Sequence, residues 1–333
     1  MTKNIFTDKS NYILSSIITF SVFFSSLIAF ALCNHEIQPV IWSFVFGIFL
    51  PFYRFGNTKF EQIKSLSTNT ILVLIMMLLA SFVSFIKSPV LQELARGVLV
   101  FCCLCSQRYF NGGRILIIFL IVYVLLFFYL DPELSENTLL SSFNCCLIGL
   151  LIGFISTSLF TIVMPNVDIK TPSINKDPFV FKQAILITIL ITSVYIIDRF
   201  VYITNPAWIC YSIVIVSTGN YKISIKTSLH RLIGTLIGAA IGIVLSHFIF
   251  DKYPSAIYSC FIFIFLTYLI INHNYGLGIV FATIWLIAVF YFLKSDITVI
   301  RFAIARIFDT LIGTSLGLFS ELIFLRKVKN SRL

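Results

Sequence analysis

The chain has 333 residues, of which 59% are hydrophobic and 11% charged, with a formal net charge of +10. That much apolar surface excludes a water-soluble globular domain and makes lipid the expected solvent. The basic excess calls for no nucleic acid, because membrane proteins gather Lys and Arg on their cytoplasmic side.

Twelve apolar runs of helical length follow one another, at about 12–33, 38–53, 69–87, 89–105, 114–130, 139–164, 179–198, 201–217, 229–250, 254–271, 276–293 and 302–325. Several lie near the short limit for crossing a hydrocarbon core ~30 Å thick. They are continuous rather than alternating, which predicts helices and not barrel strands. The expected fold is an all-α integral membrane protein of about twelve transmembrane helices. The run at 12–33 is too long for the apolar core of a cleavable signal and reads as a signal anchor. The longest link, "PNVDIKTPSINKDP" at 165–178, is a polar connector rich in proline and asparagine. The expected division is a first six-helix half over 1–164, a cytoplasmic linker over 165–178, a second half over 179–325 and a basic tail over 326–333.

Basic residues orient the chain. With both termini cytoplasmic, seventeen of the 24 Lys and Arg fall on inner segments and five on outer ones. Arg96 and Arg306 lie within apolar runs, and the acidic stretch "DPELSENT" at 131–138 falls outside. The eight cysteines all sit in or beside apolar runs. "CCLC" at 102–105 has a C-x-x-C spacing but no neighbouring His or acidic ligand, so these thiols read as small buried hydrophobes with no metal or cofactor.

Two shifts relate the chain to itself. "RLIGTLIGAAIG" opens at Arg231 and "RIFDTLIGTSLG" opens 75 positions later at Arg306. The same shift lays three apolar runs of the second half on the next three, and an odd number of helices makes that an inverted repeat. A shift of about 163 lays the first half on the second: "GNTKFEQIKSL" at 56–66 falls on "GNYKISIKTSL" at 219–229, and "CLIGLLIG" at 146–153 on "TLIGTSLG" at 310–317 within one residue. Six helices is an even number, so the halves are predicted parallel. Parallel halves built from inverted triplets are a recurring transporter architecture, with the site near mid-membrane.

On a helical wheel Arg306, Asp309, Thr310, Gly313 and Gly317 share one stripe, and Arg231, Gly234, Thr235, Gly238 and Gly242 form its counterpart. Gly-x-x-x-Gly spacing predicts helix packing by Gly234, Gly238, Gly242, Gly313 and Gly317. The charges need another account, since an arginine near the bilayer centre costs about 2.5–3.5 kcal/mol. Arg231 and Arg306, placed toward opposite mouths, are the candidate binders of an anion, with Thr235, Thr310 and Trp208 beside them. Asp309, at i+3 from Arg306, is the candidate proton carrier, because a buried carboxylate can titrate near neutrality. His230 is the second candidate. Glu93 and Arg96 have the spacing of a self-satisfying pair, and Glu321 lies near the inner surface. Trp208 and Trp285 occupy corresponding spans. No His cluster or acidic pair of catalytic spacing argues for an enzyme.

The stretches "NPAWICYSIVIVSTGNYKISIKTSLHRLIGTLIGAAIG" at 205–242 and "ARIFDTLIGTSLG" at 305–317 resemble the fusaric acid resistance protein-like family of inner-membrane exporters. The shared pattern is a tryptophan after a proline, a short polar turn, then Arg-Leu-x-Gly-Thr-x-x-Gly, and later Arg-x-x-x-Thr-x-x-Gly. The resemblance covers about 180–325; the first half joins only through the internal repeat. It implies efflux of aromatic carboxylic acids or similar amphipathic organic anions from a bacterial inner membrane, alongside a periplasmic membrane fusion protein. Plant aluminium-activated malate transporters are distantly similar, with paired six-helix units around an anion path. By that likeness the chain is a monomeric pseudo-dimer or a homodimer. Larger relatives carry cytoplasmic domains that this sequence lacks between its halves. Arg231 maps to Thr68 and Arg306 to Ser142 in the first half, so the cations are not repeated there. The competing expectations are a passive anion channel, which needs no Asp309 proton, and a non-transporting subunit of a larger complex, which needs neither arginine.

Overall fold

The computed structural model describes residues 9–32, 37–106 apart from 85 and 87, 136–165, 179–201 apart from 199, 206–248 apart from 247, 255–293 apart from 272, and 299–330. Among the described residues there is no strand. The helices are α1 (Lys9–Leu32), α2 (Ile37–Phe49), α3 (Lys59–Ser84), α4 (Pro89–Ser106), α5 (Glu136–Val163), α6 (Phe179–Asp198), α7 (Pro206–Val216), α8 (Tyr221–Leu245), α9 (Ser255–Ile270), α10 (Tyr275–Leu293) and α11 (Val299–Asn330). A short 3₁₀ turn, Leu50–Tyr53, extends α2. The predicted run at 114–130 lies outside the described residues, as does almost all of the connector at 165–178. Among the described residues, six helices carry segments long and apolar enough to cross a bilayer, including Tyr12–Leu32, Tyr221–Leu245 and Val299–Ile323, and four shorter apolar helices accompany them. The chain is an all-α, multi-pass membrane protein.

Apolar runs place the helices well, and local capping sets where they start. The run at 179–198 becomes α6 to the residue. Pro206, whose ring pre-sets φ for a first turn, opens α7. Two helices begin earlier than hydropathy suggests. At α8 the Asn220 side chain accepts from Lys222 N at 3.1 Å and Ile223 N at 3.4 Å, so the polar stretch after it is already helical. At α3 Thr58 and Glu61 form a capping box: Glu61 N donates to Thr58 Oγ1, and Thr58 N donates to Glu61 Oε2, both at 3.2 Å. Each cap follows a glycine with positive φ, Gly56 at 133° and Gly219 at 80°, a region that side chains rarely enter.

Contacts divide the chain into two units, Ser16–Thr188 and Ile189–Leu333 together with Met1–Ser15. In the first, α5 packs against α2 and α3, and α3 against α4. A methyl group on Gly149 would lie 2.7 Å from Trp42 Cβ, and one on Gly153 2.8 Å from Phe46 Cβ, so only glycine lets these backbones meet. The buried Arg54 follows the 3₁₀ turn, donating from Nε to Pro51 O at 3.0 Å and from Nη1 to Thr161 Oγ1 at 3.4 Å. Burial pushes its guanidinium down to about 10. Lys59 Nζ donates to Ile162 O at 2.5 Å, placing a cation on the last carbonyls of α5, where the helix dipole favours it.

In the second unit α8 lies against α10 and α11, α11 also lies against α7, and α9 lies against α10. The glycines of the two related segments make these contacts. Methyls on Gly234 and Gly238 would each sit 2.6 Å from a carbonyl oxygen of α10, Gly276 O and Val280 O. Methyls on Gly313 and Gly317 would meet Ile209 O at 2.5 Å and Val216 Cβ at 2.9 Å on α7. Gly242 approaches Ile287 of α10. A neighbouring helix comes close at each of these five glycines. Both registers rise together, so α8 runs parallel to α10 and α11 parallel to α7. Ala239, Ile284, Ile287, Ala288, Phe302 and Ala303 fill the space between α8, α10 and α11.

Candidate functional site

Two buried arginines meet an aromatic pair on α7. Trp208 and Tyr211 are three residues apart and share a helical face, their rings edge to face at 5.9 Å between centroids. The Arg306 guanidinium carbon lies 3.9 Å from the Trp208 ring centre. That of Arg231 lies 4.8 Å from the Tyr211 ring centre. Arg231 also donates from Nη1 to Tyr275 Oη at 3.5 Å. The cluster thus draws one side chain or more from each of α7, α8, α10 and α11. Arg231 and Arg306 stay only 2% and 6% exposed, so neither reaches solvent.

The arginines converge instead of standing at opposite mouths. The turn between α7 and α8 spans only residues 217–220, so these helices run antiparallel, and α11 follows α7. Arg231 is ten residues into α8, about 15 Å, and Arg306 is seven residues into α11, about 10 Å. Entering a core ~30 Å thick from opposite ends, they arrive within about 5 Å of the same depth. Accordingly Arg306 feels the charge of Arg231 as well as Tyr211, Asp309 and Tyr275, and Tyr211 feels both arginines.

Aromatic faces offset part of the burial. A desolvated cation–π contact stabilises by roughly 2 kcal/mol, against about 2.5–3.5 kcal/mol to place an arginine in the bilayer. Stacking does not satisfy N–H donors, however. Arg231 Nε, Arg306 Nε and Arg306 Nη1 have no hydrogen-bond partner among the described residues. Unfilled donors on buried cations are expensive and persist where something else fills them.

The remaining sequence candidates fall around this centre. Asp309 is buried at 3% exposure, one turn beyond Arg306 on the same stripe. Thr310 is fully buried, and its hydroxyl donates to Arg306 O at 2.8 Å, as its helical neighbour Thr314 does to Thr310 O. Thr235 is buried on α8. His230 is half-buried and faces the start of α10, its Cβ 3.5 Å from where a methyl on Gly276 would stand. Trp285 belongs to the packing against the α8–α10–α11 core, and its carbonyl accepts from Cys260 Sγ at 3.8 Å. Glu93 and Arg96 form an ion pair at 2.7 Å within α4. Glu321 is buried and accepts from Gly219 N at 2.8 Å, beside a Ser217–Ser320 contact at 3.0 Å.

Tyr211 and Tyr275 were not singled out by sequence, nor was Tyr268, which lies within electrostatic reach of Tyr211. With 14 tyrosines and 36 phenylalanines in the chain, composition hides them.

None of the curated proteins and none of the solved structures matches the chain. Residues 185–320 match the family described as fusaric acid resistance protein-like, a span that contains Trp208, Tyr211, Arg231, Tyr275, Arg306 and Asp309. Residues 185–320 of this transporter-like membrane protein are therefore similar to the fusaric acid resistance protein-like family, the same stretch on which the sequence resemblance rests.

Proposed function

We propose that the chain exports amphipathic organic anions, aromatic carboxylates above all, across a bacterial inner membrane, and that the Arg231–Arg306 cluster binds the anion. The observation that carries this reading is the convergence of two buried guanidiniums, with unfilled N–H groups, on the Trp208–Tyr211 ring pair. Charged donors inside a low-dielectric site hold a carboxylate strongly, and flanking rings suit an aromatic body. Thr235 and Thr310 border the arginines as polar contacts, and Asp309 links the site to protons, with His230 as the alternative carrier. The parallel contacts of α8 with α10 and α11 with α7 support the inverted pairing of the two triplets, an arrangement suited to opening on alternate sides. Both termini in the cytoplasm, a pseudo-dimeric monomer or homodimer, and a periplasmic membrane fusion partner complete the proposal; the last rests on family likeness alone.

The test is flux of benzoate from proteoliposomes holding the purified chain. Arg231→Ala and Arg306→Ala should each lower the rate at least tenfold, since losing a charged hydrogen bond of about 1.5–3 kcal/mol weakens binding by that order. Unchanged flux in both variants overturns the arginine site, and no protein-dependent flux from the parent chain favours a non-transporting subunit.

A further inference from the structure

The two related segments differ at one chemically decisive position. Under the shift of 75, Gly234 of α8 corresponds to Asp309 of α11. At Gly234 the α10 backbone closes against α8 and leaves no room for a side chain. At Asp309 the same stripe carries a buried carboxylate within electrostatic reach of Arg306. The cluster therefore holds two cations and one acid. The titratable groups of the cluster are Arg306 and Asp309 on α11, Tyr211 on α7, Arg231 on α8 and Tyr275 on α10, with Tyr268 on α9 in reach of Tyr211 and the half-buried His230 next to Arg231 in the chain. Glu321, the other buried acid of α11, lies twelve residues further on, about 18 Å along the helix, with its Oε1 bonded to Gly219 N.

We propose that Asp309 stands in for the anion before solute binds, so that proton uptake on this carboxylate and anion uptake at the arginines reinforce each other. The inference rests on the anion-site reading above. While Asp309 is ionised, it neutralises one guanidinium and repels an incoming anion. Once protonated, it leaves both guanidiniums to the solute. Linkage is reciprocal, so a bound anion draws a proton onto Asp309. Asp309 thus loads a proton with the solute rather than exchanging one for the other. A monovalent anion carried with its proton crosses as the net-neutral acid, so membrane voltage neither drives nor opposes that step.

The probe is benzenesulfonate, which stays ionised across the working range, titrated calorimetrically into the full-length chain between pH 5 and 9. Binding should weaken as pH rises, by up to about tenfold per unit above the Asp309 titration. Calorimetry in buffers of different ionisation enthalpy should report proton uptake on binding. Asp309→Asn should bind tightly at every pH with no proton uptake, while Asp309→Glu should restore the pH dependence. His230→Gln should leave it in place. Binding that strengthens as pH rises, or a dependence that survives in Asp309→Asn, overturns the inference while leaving the anion site standing. Binding by neither the parent chain nor Asp309→Asn at any pH overturns both.

Discussion

The helix pair α2–α5 of the first unit and the pair α7–α11 of the second are the same packing with different chemistry. In each, two glycines four residues apart press on a helix that carries a tryptophan: Gly149 and Gly153 on the stretch from Trp42 to Leu50, Gly313 and Gly317 on the stretch from Ile209 to Val216. Around Trp42 the neighbour is Phe46, with ring centres 6.1 Å apart. Around Trp208 the neighbours are Tyr211 and the Arg306 guanidinium. At the positions of Arg306, Asp309 and Thr310 the first half has Ser142, Cys145 and Cys146. Glycine spacing alone is enough to bring two such helices together, so the charges of the second unit are additions to a working scaffold. Their cost needs a separate reason.

The largest effect tests the shared part. Gly313→Val forces a branched side chain into the Ile209 carbonyl and should lower the thermal midpoint in detergent as strongly as Gly149→Val does, by at least the 1–3 kcal/mol typical of overpacking, here roughly doubled because backbone is the obstacle. A mild result at one glycine and a severe one at the other breaks the equivalence. Next come the charges, where Arg306→Ala should lose at least ~10-fold in benzoate flux, well beyond any fall in the amount of folded chain recovered. A smaller effect separates the tryptophans. Trp208→Phe keeps an aromatic face but weakens the cation–π contact, and should cost a few-fold in benzenesulfonate affinity, about 1 kcal/mol. Trp42→Phe should leave affinity untouched and change only the melt. Smallest is Glu321→Gln, which keeps an acceptor for Gly219 N but loses its charge, an expected loss of about 1 kcal/mol in melting stability with anion affinity unchanged.

The sequence carried the helices because lipid demands long apolar runs, and it carried the glycine contacts because their four-residue spacing has one common use. It carried the Glu93–Arg96 pair because both partners lie on one helix. It misplaced the starts of α3 and α8, since hydropathy does not see Thr58, Glu61 or Asn220 acting as caps. It also set the arginines at opposite mouths, because depth depends on where a helix begins. Moving the start of α8 from 229 back to Tyr221 shifts Arg231 about 12 Å deeper, which brings it to Arg306. The tyrosines could not be chosen from sequence, since their role depends on contacts across α7, α8 and α10.

Tyr12, near the beginning of α1, rests its ring against Phe265 of α9, edge on, with 5.6 Å between centres. Those partners are made far apart in time. At 5–20 residues per second, the ribosome reaches Phe265 on the order of 10–50 s after Tyr12. Throughout that interval the leading turns of α1 sit in the bilayer without their eventual neighbour, and a chain stopped before α9 never supplies it. The opening segment is thus a late-sealing piece, and truncations meant to isolate residues 189–333 remove a ring that the unit packs against.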